Sequence, residues 1–336
     1  MNAEAGLRVA VIGVGHLGRH HARILREIEG VELVAVVDAR EERAREVAGP
    51  LGVLALTRAE DLPDDLDAVT VAVPTSAHVE AALPFLRRGI ATLVEKPIAP
   101  STAEADRLLA AARAGGALLS VGHVERYNPA IAAIRDLAIA PRFIEAHRLA
   151  PFSFRSTDVG VVLDLMIHDL DLILELVADE IASVDAVGVS VVTEREDLVS
   201  ARIRFRGGCV ANLTASRVSL APMRRVRFFS PDSYASLDFG KGYSLVVKKG
   251  PNWEKARERL ATVDPAAGVD ALGLLEEGGV VVRETKVEEA EPLREELKAF
   301  VAAARGDGKA PASGEDGRRA LAAAERILEE LEVQRW

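Results

Sequence analysis

The run Gly13-Val14-Gly15-His16-Leu17-Gly18 follows the short apolar segment Leu7–Ile12 and opens a helical stretch. GxGxxG in that setting admits few folds. The first glycine turns the chain tightly, the second lets the backbone approach a pyrophosphate, and the third lets a helix pack close to its strand. The phosphate charge is met by N–H groups at the helix start, which brings His16 and Leu17 into the site along with the glycines. Asp38 stands 20 residues beyond Gly18, at the end of a second β-like run. There a carboxylate accepts both ribose hydroxyls of an adenosine. Together these features read as a dinucleotide site. A carboxylate repels a 2′-phosphate, so NAD is expected over NADP, with Arg40 the nearby cation that keeps NADP open.

The rest of the first third has the same rhythm. RVAVIG, ELVAVVDA, DAVTVAVP, ATLVEK and ALLSVG alternate with helical stretches up to residue 122. Continuous apolar strands of this kind belong to a parallel sheet covered on both faces, a doubly wound α/β Rossmann domain. Ser101 and Glu104 form a capping box, and Gly89 and Gly115 stand where helices should end. Two later strand ends face the same sheet edge, where open α/β folds bind ligands. One carries Pro74, Thr75 and His78, and the other carries Glu95 and Lys96. A lysine at that edge can share a proton with a substrate hydroxyl.

At 336 residues the chain is long for one core, so two domains are expected. After residue 122 the strands FIEAHRL, ASVDAVGVSVV, SARIRFRG, CVANLTASRVS and RRVRFFS follow one another without helices between them, apart from a buried helix at about 159 to 177. That predicts an α+β domain with a large, open, mainly antiparallel sheet over 123–290. Residues 250–290 carry no motif. Helical periodicity returns over 291–336, where Ser313 and Asp316 are expected to cap the last helix.

The buried helix contains DLMIHDLDLILE. At about 100° per residue, Asp164, His168, Asp171 and Glu175 share an arc of roughly 60°, and apolar residues take nearly all the rest. The strip either meets solvent or lines a cleft. In a cleft, an Asp and a His one turn apart suit proton transfer. A net charge of −10 with no basic stripe argues against nucleic acid and for a small-molecule partner. The single cysteine, Cys209, excludes an internal disulfide and Cys-based zinc spacings, and no metal is implied. No apolar run reaches about 18 residues and no standard export signal opens the chain, so a cytoplasmic protein without a membrane partner is expected.

The glycine fingerprint, VPTSAH, the EKP triplet at 95–97, ERYNP at 125–129, and Asp164 with His168 together resemble the Gfo/Idh/MocA oxidoreductases over essentially the whole chain. The resemblance implies NAD-dependent oxidation of a secondary sugar hydroxyl. It makes Lys96, Asp164 and His168 the catalytic candidates, with His168 the base, facing the cofactor across an interdomain cleft. It also implies Arg126, Tyr127 and Asn128 as substrate residues, C-terminal helices packing back near the first domain, and a homodimer or homotetramer built on the open sheet. Asp171 and Glu175 read as structural ion-pair partners. Met166 departs from the family pattern, where a glycine is common, and this bears on the size of sugar admitted.

Within the family, VGHVERYNPA and EAHRLAPFSFRSTDVGVVLDLMIHDLDL are most similar to bacterial enzymes that oxidise the 3-hydroxyl of UDP-N-acetylglucosamine. Those enzymes precede an aminotransferase in making amino-sugar lipid A precursors. A nucleotide sugar needs cations for its diphosphate, and Arg148, Arg155 and Arg217 fall in the second domain. An inositol or simple-sugar dehydrogenase, a glycosidase using transient oxidation, and a non-catalytic NAD sensor are the alternatives.

Overall fold

The computed structural model describes residues 6–135, 139–153, 159–262, 279–286, 291–310 and 312–335. It divides into two units, Met1–Tyr127 with Glu291–Arg326, and Asn128–Ala290 with Ile327–Trp336.

In the first unit, β1 (Leu7–Ile12), β2 (Val31–Val37), β3 (Leu54–Leu56), β4 (Ala68–Val71), β5 (Ala91–Glu95) and β6 (Leu119–Gly122) form a parallel sheet in the order β3-β2-β1-β4-β5-β6. The order reverses between β1 and β4, which makes the gap beyond their carboxyl ends the place for a ligand. β4, β5 and β6 are buried along their whole length, as strands covered on both faces must be. The edge strand β3 was not expected. Three residues are too few to show a period.

Helices α1 (Gly18–Glu27), α2 (Glu41–Leu51), α3 (His78–Arg87) and α4 (Thr102–Gly115) join the strands. The Oγ of Ser101 accepts the Glu104 N–H at 3.3 Å, capping α4 as its sequence predicts. The left-handed residue after α4 is Gly116 rather than Gly115. Gly115 is glycine for another reason, because a Cβ there would lie 2.0 Å from the Leu86 carbonyl oxygen.

The second unit is built on nine strands among the described residues: β7 (Phe143–Leu149), β8 (Ile181–Ser190), β9 (Leu198–Phe205), β10 (Val210–Ser216), β11 (Met223–Phe229), β12 (Ser233–Asp238), β13 (Tyr243–Lys249), β14 (Val280–Lys286) and β15 (Leu331–Arg335). Their order is β14-β13-β12-β11-β7-β10-β9-β8-β15. Only the β7–β10 and β8–β15 pairs are parallel. Among the described residues the unit also holds α5 (Pro129–Arg135), α6 (Ile167–Val177) and α7 (Trp253–Thr262). The buried side chains of β9, from Val199 to Phe205, alternate with exposed ones, so one face of the sheet is covered and the other open.

Two further helices follow, α8 (Pro292–Ala304) and α9 (Gly314–Glu329). Leu297, Phe300 and Val301 of α8 enter the same core as Val9, Ile24 and Leu25. The Oγ of Ser313 accepts the Asp316 N–H while Asp316 accepts from Ser313, closing a reciprocal cap on α9. The expectation of helix to the end of the chain fails at Leu331–Arg335, which forms a strand pairing with β8. Its LEVQR pattern alternates, but after a long helical run the switch in period is only five residues long.

Candidate active site

A cavity of about 570 Å³ opens at the carboxyl edge of the first sheet, lined by Gly13, Gly15, His16, Asp38, Arg43, Thr57, Val73 and Pro74 among others. The three glycines are glycine for three different reasons. Gly13 has φ +84°, and a Cβ on it would sit 2.7 Å from the Ala72 carbonyl oxygen. A Cβ on Gly18 would lie 1.8 Å from the Gly13 oxygen, so α1 can start only against a bare backbone. At Gly15 a Cβ meets nothing nearer than Arg43 Nη1 at 3.6 Å, which leaves its absence to a ligand. Leu17 precedes α1 without a side-chain cap, and no acid stands in the first turn. With no side-chain cap and no carboxylate placed there, the positive end of α1 suits a pyrophosphate.

Asp38 is nearly buried at the tip of β2. Its Oδ2 accepts the Val14 N–H at 3.2 Å and its Oδ1 accepts the Arg40 N–H at 3.0 Å. A carboxylate has about four acceptor positions, so a ribose diol can take the remaining two. Arg40 thus contributes its backbone. The side-chain cation beside Asp38 is Arg43, with Nη1 3.6 Å from Oδ2. Sequence reasoning missed Arg43, although one turn into the following helix is where a side chain can return to the strand tip.

Glu95 ends β5 and Lys96 follows it, half-buried. Neither lines the cavity around the glycine loop. Glu95 instead turns inward, its Oε1 accepting from Nε2 of fully buried His21 at 2.9 Å and its Oε2 accepting the Lys96 N–H at 3.3 Å. His78 is also internal. Its Nδ1 is 2.9 Å from the Pro97 oxygen and its Nε2 3.0 Å from the Val73 oxygen, so it ties the loop after β4 to the loop after β5. Burial lowers its pKa from the ordinary imidazole value, against the pull of those two carbonyls. Thr75 stands in the short helical turn before α3.

In the second unit, a π-helical turn over Val162–Met166 leads directly into α6. Asp164 lies in the π turn and His168 at the second residue of α6, both half-buried, with Nδ1 of His168 enclosed. Single π turns recur at functional sites. Met166 is fully buried, so its side chain packs in the core. Asp171 is buried and Glu175 exposed, so the polar strip does not run as one continuous wet face.

Glu196 holds the start of this segment. Its backbone oxygen accepts the Val161 N–H at 3.0 Å and its Oε1 accepts the Val162 N–H at 3.4 Å. A Cβ on Gly160 would overlap the Glu196 carboxylate at 1.7 Å.

Two of the three arginines expected to meet a diphosphate, Arg148 and Arg217, have partners within the second unit. Arg148, buried on β7, donates from Nε and Nη2 to the two oxygens of Asp169 at 3.0 and 2.8 Å, a bidentate pair pinning α6 to the sheet. Arg217 donates to the Val159 oxygen at 2.7 Å, with its Nε 3.6 Å from Asp197. Burial works against the Asp197 charge, yet N–H groups of Val191, Val192 and Thr193 and the Thr193 hydroxyl hold its carboxyl below the usual range. Arg126 is buried 3.5 Å from Asp316. Asn128 donates to the Phe239 oxygen and accepts from Ala130 N–H, and Tyr127 is half-buried. Arg155 lies outside the described residues. Among the described residues no cluster of three or more His, Cys, Asp or Glu is arranged to hold a metal, and no helix is long and apolar enough to cross a membrane.

Two family descriptions match this chain. Residues 7–123 match "Oxidoreductase family, NAD-binding Rossmann fold", and residues 140–230 match "GFO/IDH/MocA C-terminal domain". The chain belongs to the Gfo/Idh/MocA oxidoreductase family. Its relatives include the UDP-N-acetylglucosamine 3-dehydrogenase of Acidithiobacillus ferrooxidans, 46% identical over 69% of this chain and 74% of that one. The scyllo-inositol 2-dehydrogenase (NAD(+)) of Bacillus subtilis is 30% identical over 64% of this chain and 69% of that one. A solved structure of the Acidithiobacillus enzyme superposes with a TM-score of 0.83 at 38% identity, covering 96% of this chain and 97% of that one. This Gfo/Idh/MocA chain is therefore an oxidoreductase with an NAD-binding Rossmann domain.

Two pairs of variants test these placements. Gly18→Ala, which must displace the Gly13 carbonyl, should cost about 3 kcal/mol of stability. Gly15→Ala should melt with the unmodified protein yet bind NAD at least about tenfold more weakly. Denaturant unfolding and NAD titration read the contrast, and equal effects would remove the assignment of Gly15 to the ligand. Arg148→Ala should lose about 3–5 kcal/mol by stranding Asp169, whereas Arg148→Met with Asp169→Leu should recover near-normal stability. In that stable double variant the KM for the sugar should stay within about threefold; a tenfold rise would return Arg148 to the substrate.

Proposed function

We propose that this protein is an NAD-dependent dehydrogenase that oxidises the 3-hydroxyl of UDP-N-acetylglucosamine to the 3-oxo sugar. The observation that carries the reading is the 46% identity to the Acidithiobacillus enzyme over 69% of this chain, together with the likeness of its solved structure over 96% of this chain. Bound NAD supplies the two-electron acceptor that turns the alcohol into a ketone. His168 accepts the hydroxyl proton. Its Nδ1 is enclosed, so a proton arriving from outside reaches Nε2. Lys96 orients and polarises the same oxygen, and Asp164, one turn before His168, holds the pair in place. Asp38, Gly13, Gly15, His16 and Pro74 hold the cofactor from the cavity they line.

The internal placement of Arg148 and Arg217 removes them as support for a diphosphate, so the nucleotide half of the substrate rests on the likeness to the relative. In this reading the 3-oxo product passes to an aminotransferase in amino-sugar lipid A precursor synthesis. The enzyme works in the cytoplasm as a homodimer or homotetramer joined through the open face of the nine-stranded sheet.

Incubating the protein with NAD and a panel of UDP-sugars, free sugars, inositols and glycosides, while following reduced nicotinamide, tests the function. UDP-N-acetylglucosamine should be oxidised best. Preference for an inositol would contradict the substrate, and sugar release without net reduced cofactor would indicate a glycosidase. His168→Ala should lower kcat by about 10² to 10⁴-fold with NAD affinity nearly intact. Lys96→Ala should be as severe and Lys96→Arg no better, because a guanidinium does not give up its proton near neutral pH. Loss of NAD binding by a folded His168→Ala variant would refute the proton-transfer role.

A further inference from the structure

We propose that His21 is a positioning residue for Lys96 and acts through the buried carboxylate of Glu95; this rests on the reading of Lys96 as the group that orients the substrate oxygen. Glu95 was expected to face the cofactor. Its carboxylate is instead enclosed in the first unit, gripped at Oε1 by the Nε2–H of His21 and at Oε2 by the backbone N–H of Lys96. Gly122, at the end of the neighbouring strand β6, makes room for it, since a Cβ there would lie 2.8 Å from all three carboxyl atoms. His21 is fully buried and its Nδ1 has no partner, so the bond to Glu95 sets the ring's proton on Nε2.

The chain of contacts has a direction. α1 starts where Gly18 meets Gly13, and His21 lies three residues along it, underneath the end of β5. A carboxylate held from two sides fixes the peptide from which the Lys96 side chain departs. Removing His21 leaves Glu95 buried without its side-chain donor, and a carboxylate in that condition turns to find another. Lys96 then leaves with the peptide. Displacement of a reacting group by about 1 Å costs on the order of 10²-fold in rate.

The test compares His21→Leu, His21→Gln and Glu95→Gln in the full chain, with UDP-N-acetylglucosamine and NAD as probes. His21→Leu should lower kcat by about 10- to 100-fold, with KM for the sugar and Kd for NAD within about threefold. His21→Gln, whose amide can donate to Glu95, should restore kcat to within about threefold. Glu95→Gln keeps the shape and, with one carbonyl oxygen, can accept only one of the two bonds, so it should lose at least about tenfold in kcat even if His21→Leu does not fold. Combined with Lys96→Ala, His21→Leu should add almost nothing, because the two act as one unit.

An unchanged kcat in His21→Leu and Glu95→Gln overturns the proposal. So does a loss that appears only as weaker NAD binding, a His21→Gln as poor as His21→Leu, or full additivity with Lys96→Ala. If Lys96→Ala itself turns over normally, the reading of Lys96 fails first; if it is impaired while His21→Leu is not, this inference fails alone.

Discussion

The first unit depends on one close contact, the bare Cα of Gly18 against the carbonyl of Gly13. It fixes where α1 begins relative to β1, and with that the direction in which the positive end of the helix points. The parallel sheet does the rest, since strands joined by helices end at one edge. Asp38 at the end of β2, Pro74 after β4 and Lys96 after β5 reach that edge because they are the residues that follow the strands. Behind it, buried polar contacts replace ordinary apolar packing: His21 with Glu95, and His78 with two loop carbonyls. Such groups are costly to leave unmade, so they favour one arrangement of the loops that carry function.

The second unit uses buried charge in the same way around α6. Arg148 and Asp169 pin the helix to β7, while Glu196 and Arg217 hold the backbone that leads into the π turn. Replacing such pairs by apolar residues of similar volume is often neutral or stabilising, so they are weak arguments for stability in themselves. Their geometric effect is clearer. They set the start and tilt of the segment presenting Asp164 and His168, the two polar residues on it that remain half-buried rather than committed to the core.

Much of this was legible in the residues. The glycine spacing, Asp38 and the alternation of apolar runs with helical stretches have local causes, so the Rossmann domain and its cofactor edge could be read directly. So could the caps at Ser101 and Ser313. What was not legible is partnership at long range. Arg148 and Asp169 are 21 residues apart and His21 and Glu95 are 74 apart. An arginine that forks onto a carboxylate inside the fold has the same one-letter signature as one that waits for phosphate. The helical stripe left out Asp169 for a related reason, since the partner that pairs with it, Arg148, comes from a distant strand. Short elements were lost too, as β3 and β15 are too brief to show a period beside their neighbours.

Cofactor choice brings the account to a single side chain. Two of the acceptor positions on Asp38 are taken by the N–H groups of Val14 and Arg40, leaving two for a ribose diol. A 2′-phosphate about 4 Å away would be repelled by roughly 4 kcal/mol at an effective dielectric near 20, before Arg43 offsets part of it. Charge-assisted hydrogen bonds to the diol add about 1.5 to 3 kcal/mol in favour of NAD. Dissociation constants for NAD and NADP, measured side by side on the unmodified protein by titration calorimetry, test this most directly. NAD should bind at least about tenfold more tightly than NADP. Comparable constants for the two cofactors would contradict it and would place the site under the control of Arg43 rather than Asp38.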